Sequence, residues 1–99
     1  MKLTDNDLLF LAAKAIGGVF DAPTESITLD GGVEYTQWNP LEDDGDAFSL
    51  AATLNMMVNF TAGGAIAYYD KGLASGSISD PSPHRAVVRA AAEIGSLMP

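Results

Sequence analysis

The hydrophobic positions of this chain change their period several times, and each change predicts an element. From Thr4 to Ile16, the residues Leu8, Leu11, Ala12, Ala15 and Ile16 recur at helical spacing. Thr4 and Asp7 fit a capping box with Asp in place of Glu. Asp5 and Asp7 suit the positive end of the helix dipole, and Gly17-Gly18 supplies a stop. From Ser26 to Trp38 the period falls to two. Ile27 and Leu29, then Val33, Tyr35 and Gln37, flank Asp30-Gly31-Gly32, which predicts a hairpin.

Asp43 or Asp44 opens a second helix running to about Asn55. Ala47, Leu50, Ala51 and Leu54 form its apolar stripe, and Phe48 widens it. Met56 to Tyr69 predicts a second hairpin turning near Gly63-Gly64. Met56, Val58 and Phe60 share a face of its first strand, and Ala65, Ala67 and Tyr69 a face of the second. Ile66 and Tyr68 lie opposite, so both faces carry apolar residues and the hairpin suits a central place in a sheet. Asp70 to Pro83, rich in Gly, Ser, Pro and Asp, predicts a loop, long for a domain of this size. Ser82 as cap and Pro83 as first residue start a third helix. Val87, Ala90, Ala91 and Ile94 face its core side, and Gly95 is its stop. The order α-ββ-α-ββ-α predicts a single α+β domain over residues 1–99. Its sheet is largely antiparallel, of about four strands in two hairpins, and packs with three helices.

Composition narrows the functions. With 47% hydrophobic residues and a mean hydropathy of +0.14, the chain folds rather than staying disordered. It has no cysteine, which excludes disulfides, thiolate nucleophiles, iron–sulfur clusters and cysteine zinc sites. No apolar run is long enough to cross a bilayer, and MKLTDND turns acidic where a secretory signal would be basic and then apolar. A soluble protein of the cytoplasm, with no membrane partner, is expected.

The net charge of −8 argues against direct nucleic-acid binding, which needs clustered Lys and Arg. No Lys or Arg lies between Lys14 and Lys71. Asp21, Glu25, Asp30, Glu34, Glu42, Asp43, Asp44 and Asp46 all fall in that gap, so one part of the surface should be negative and attract basic partners.

The stretch WNPLEDDGDAF, Trp38 to Phe48, concentrates this charge. An EF-hand register with Gly45 at its sixth position puts Pro40 first and Ala51 twelfth, which leaves the end ligands missing. A looser Ca²⁺ or Mg²⁺ site on Asp43, Asp44 and Asp46 is one alternative. An N-cap formed by Asp43 and answered by Asp46 explains at least two of the acids without any function. The remaining acids are free to meet a partner's Arg and Lys. Ser75 or Ser77 with Asp80 and His84 supplies the residue types of a hydrolase triad, but no GxSxG elbow accompanies them. The glycine pairs lack any phosphate-loop context and suit turns. Trp38 suits core packing. Arg85, Arg89 and Glu93 suit an exposed ladder of ion pairs, or the arginines an anion near the third helix.

Three segments in this order, NDLLFLAAKAIGG, WNPLEDDGDAFSLA and HRAVVRAAAEIG, resemble a family of small phage and prophage proteins described as a phage α-β-α sandwich domain. Its members show a W-[ND]-P-x-x-D-D-G-D-A-x-x-L-A segment and a closing R-x-A-I-V-R-A-A-A-E-I-G helix. Trp38, Asn39, Pro40, Asp43, Asp44, Gly45, Asp46 and Ala47 match the first, and Arg85, Arg89, Ala90, Ala91, Ala92, Glu93, Ile94 and Gly95 the second. The hairpins and the segment after Tyr69 fall outside the resemblance. It implies a phage accessory protein with an α/β sandwich, and it supplies no catalytic residue.

Residues and resemblance together lead to a non-enzymatic phage accessory protein in the host bacterial cytoplasm. It would bind, and inhibit, a host protein such as a CRISPR-Cas or other defence component with a basic nucleic-acid groove. Glu34, Tyr35, Glu42, Asp43, Asp44 and Asp46 are the expected partner-binding residues. No cofactor or metal is expected, and the chain acts alone or as a homodimer. Two alternatives stand beside it. One is a nucleotide-signal binder using Arg85 and Arg89 with an aromatic in an oligomeric pocket. The other is a metal-dependent enzyme built on Asp43 to Asp46.

Overall fold

The computed structural model describes residues 3–29, 31–72 and 74–99. The fold is α+β, with three helices and six strands in the order α-βββ-α-βββ-α among the described residues. The helices are α1 (Asp5–Ala15), α2 (Asp44–Thr53) and α3 (Pro83–Ser96). The strands form two antiparallel sheets of three. One runs β1 (Gly18–Asp21), β2 (Ser26–Leu29), β3 (Thr36–Gln37), and the other β4 (Met57–Thr61), β5 (Gly64–Lys71), β6 (Ala74–Asp80). The expected sheet of about four strands is therefore corrected to two separate three-stranded sheets.

The helix starts form as the sequence predicts. Thr4 Oγ1 accepts from Asp7 N at 3.1 Å, and Asp7 Oδ2 accepts from Thr4 N at 3.0 Å, closing the capping box. Asp43 caps α2 and Ser82 caps α3, with Pro83 in its first turn. Gly17 ends the first helical segment at φ +80. The stripe of α2, Ala47, Leu50, Ala51 and Leu54, is buried as predicted. Phe48 is not part of it: its side chain points outward and is 76% exposed.

The end of α3 differs from the prediction. Gly95 is a buried helical residue, and the helix runs on to Ser96 with Leu97 as its C-cap. An ideal Cβ on Gly95 would lie on the Leu11 carbonyl oxygen of α1. The small residues Ala12, Ala13, Ala91, Ala92 and Gly95 line this crossing, so the two backbones approach closely.

Two strands are invisible to sequence periodicity. Residues 18–21 pair with 26–29, from Gly18↔Leu29 to Asp21↔Ser26, and bury Phe20 against Trp38 with ring centroids 6.0 Å apart. The predicted first hairpin survives as Ser26↔Gln37 and Ile27↔Thr36. Its turn is wider than predicted: Val33 to Tyr35 is exposed loop, and Asp30 lies outside the described residues.

The segment predicted as a loop contains β6, paired with β5 from Ala65↔Asp80 to Lys71↔Ala74, while Leu73 lies outside the described residues. Its serines and glycine read as a loop because only two of its side chains are apolar, Ala74 and Ile78, which face inward with Asp80. Gly76 opposes Tyr69, whose hydroxyl would sit 3.1 Å from a Cβ there, so the small residue leaves room for the ring.

The core lies where α3 packs on β5 and β6, α1 on β1 and α3, and α2 on α3. Ala65 and Ala67 of β5 face Ala86 and Ala90 of α3, and these small side chains let helix and sheet approach. Leu50 and Val88 are fully buried at the centre.

Candidate functional site

The acidic stretch divides its work. Asp43 Oδ2 accepts from Asp46 N at 2.8 Å, capping α2. Asp46 Oδ2 accepts from Asn39 N at 2.8 Å, fastening the Trp38–Pro40 turn to the helix start. Asn39 also reaches Glu25 through its side-chain amide, and its Oδ1 accepts from Leu41 N. Two of the four acids are therefore engaged by backbone N–H groups. Asp43→Ala should cost about 1 kcal/mol of stability, the usual loss for an N-cap, read as a shift in the urea unfolding midpoint.

Asp44 behaves differently. Its side chain is 94% exposed, and its Oδ1 lies 2.5 Å from His84 Nε2, linking the starts of α2 and α3. Glu42 is exposed beside it.

Of the six expected partner-binding residues, four border three different depressions. Glu34 and Asp46 border a depression with Trp38 and Thr53. Tyr35 borders a second with Asp21, Thr24 and Gln37. Asp44 stands at the mouth of a third.

That third depression is an open groove of about 700 Å³. Helix α2 contributes Ala47, Phe48, Ala51 and Ala52, and the β4 side contributes Met56, Val58 and Phe60. Pro83, His84 and Val87 of α3 complete the lining. Apart from Asp44 and His84 the lining is apolar, yet Phe48 and Phe60 are 76% and 72% exposed. Among the described residues no Lys or Arg lines it, and Asp44 is its acid. Periodicity does not reveal the groove: it places Phe48 in the helix stripe, and Phe60 on a strand face with Met56 and Val58 in a hairpin apolar on both sides.

The arginines are committed elsewhere. Arg85 Nη1 and Nη2 donate to Asp5 Oδ1 and Oδ2 at 2.9 and 3.3 Å, a bidentate pair between α3 and α1. The hydrogen bonds from Arg85, with its charge, hold the Asp5 carboxyl below the usual carboxylate value, and Asp5 in turn raises the guanidinium. Arg89 donates to Asp80 Oδ2 at 3.0 Å, and Asp80 Oδ1 accepts from Ser82 N. The partners come from other elements, so the predicted ladder along α3 is replaced by ties to α1 and β6. Both arginines border a depression with Asp5, Asp80 and Glu93, which meets any anion with three carboxylates.

Asp80 pairs with Arg89 and His84 with Asp44, so the triad residue types are not brought together. Among the described residues no group of three or more His, Asp or Glu side chains could hold a metal ion. None of their helices is long and apolar enough to cross a membrane. Burial, and then the charge of Glu93, push the half-buried Tyr69 phenol above its ordinary value.

Comparisons with protein-family models, with curated proteins and with solved structures find no match to this chain.

Proposed function

We propose that this protein is a non-enzymatic protein-binding domain whose binding site is the groove between α2 and β4. One observation carries the reading: an open apolar groove flanked by exposed Phe48 and Phe60, with Asp44 at its mouth and no Lys or Arg among its described lining residues. Exposed aromatics that converge on a concave apolar surface favour a partner's side chains over water. An exposed carboxylate at the rim adds selectivity for a basic partner and speeds encounter, more than it adds affinity. The net charge of −8 extends that attraction beyond the contact itself.

The phage resemblance, the small size and the acidity favour a host protein as the partner, inhibited by occupation, with a basic CRISPR-Cas or other defence effector as one version. The nucleotide-binding alternative has less support, because Arg85 and Arg89 each already face a carboxylate. The metal-enzyme alternative has less as well, since Asp43 and Asp46 point at backbone N–H groups.

The test uses the whole chain as bait in bacterial extract, beside its Phe48→Asp and Asp44→Lys variants. A captured protein is identified, purified and titrated. Phe48→Asp is expected to weaken that binding at least about a hundredfold, as the loss of a buried aromatic anchor does. Asp44→Lys should weaken it less and remove most of its salt dependence. Because both side chains are exposed, circular dichroism of the variants should match the parent. A partner that binds both variants as well as the parent overturns the assignment of the groove.

A further inference from the structure

Among the described residues, strand β4 is an open edge. It pairs with β5 on one side only, in an unbroken register from Met57↔Tyr68 to Thr61↔Gly64. Sheets ordinarily protect such an edge with a Lys, a Pro, a bulge or a covering element. β4 contains no charge and no proline, and its register shows no bulge. It stands inside a run from Ala47 to Tyr69 without a single Asp, Glu, Lys, Arg or His. Met57 and Phe60 are mostly exposed along it. The opposite edge strand, β6, is made of Ser and Gly for most of its length and lies against α3. The apolar, unprotected edge is thus the one beside the groove.

Resting on the groove reading above, we infer that the groove takes an extended segment of a partner protein, which adds to the sheet as a strand alongside β4. An added strand satisfies the outward N–H and C=O groups of β4 and turns every second side chain toward α2, where Phe48 and Ala52 are exposed.

The fold also sets the segment's direction. Phe60 and Thr61 pair with Ala65 and Gly64, and Ala65 pairs with Asp80, next to the start of α3. His84 and its neighbour Asp44 therefore lie toward the Thr61 end of β4. The other end adjoins the last turn of α2, where Met56 N donates to Ala51 O at 2.9 Å. Every pairing in this sheet is antiparallel, and a strand continuing that pattern enters at the acidic end. The segment then reads, from its N-terminal side, a Lys or Arg for Asp44 followed by apolar residues at every second position along β4. A second copy of this chain fits less well: its β4 is uncharged, offers nothing basic to Asp44, and brings a further net charge of −8.

Selection of a displayed random-peptide library on the whole protein tests this, followed by single N-methylation along the best peptide. The expected peptides carry a basic residue before alternating apolar ones. N-methylation should weaken binding about tenfold at alternate residues, where a main-chain hydrogen bond is lost, and little at those between. Peptides with apolar residues at helical spacing, or N-methyl effects without alternation, overturn the strand but leave the groove reading standing. Peptides indifferent to Phe48→Asp and Asp44→Lys overturn both. A dimer in sedimentation equilibrium that Asn59→Lys dissociates makes a second copy the occupant of β4 and overturns the inference. So does a monomer that selects no peptide.

Discussion

Gly95→Ala should remove about 3 kcal/mol of stability, the upper part of the range for overpacking a close-packed site. The added Cβ would fall on the Leu11 carbonyl oxygen, which is α1 backbone and cannot rotate aside. The α1–α3 crossing must then open along its whole length. Ala12, Ala13, Ala91 and Ala92 have no long side chains to refill the gap. Helix propensity works in the opposite direction, since Ala is favoured over Gly inside a helix by roughly 1 kcal/mol. A helix-stop glycine at an exposed end would respond mildly, so the sign and size of the change separate the two roles. For a domain of this size the expected loss lowers the melting temperature by more than about 10 °C. Thermal and urea unfolding followed by circular dichroism measure it. A variant as stable as the parent would refute the close crossing.

Gly64→Ala should cost about as much, for a different reason. Gly64 has φ +144, where L side chains are strained, and its Cβ would collide with the Asp80 carbonyl and Pro81. The chain there leaves β6 for the start of α3, so the collision pushes the β5–β6 pairing and the Ser82 cap together. Gly63 is the internal control. It has no atom within 4 Å of a Cβ and no positive φ, so Gly63→Ala should be neutral to slightly stabilising by entropy. Denaturation curves of the two neighbours, measured side by side, should differ by about 3 kcal/mol. Equal stabilities would remove the proposed constraint.

Much of the fold was legible because its signals are local. A capping box needs only Thr4 and Asp7, and the stripe of α2 needs only the helical repeat. Pro83 after Ser82 announces α3 within two residues. β1 and β6 gave no such signal. The first is four residues long, and the second is rich in exposed Ser, with Gly76 where the Tyr69 ring of the neighbouring strand leaves little room for a side chain. The site was legible only in part. The charge of WNPLEDDGDAF is plain in sequence, but which acids remain free is not. That depends on Asn39, seven residues away from Asp46, and on His84, forty from Asp44.

By itself, then, the sequence determined the helix starts, the α2 and α3 core stripes, the second hairpin, and a net charge of −8. Hydrophobic period, capping chemistry and net charge are properties of neighbouring residues or of their sum, and need no tertiary contact. The tertiary structure decided that the strands split into two sheets, that Gly95 is a contact rather than a stop, and that Phe48 and Phe60 flank one groove. These outcomes depend on which backbones lie side by side. The reason Phe48 faces outward is not written in α2: the helix packs its opposite side on α3, and no described element covers most of the Phe48 side chain.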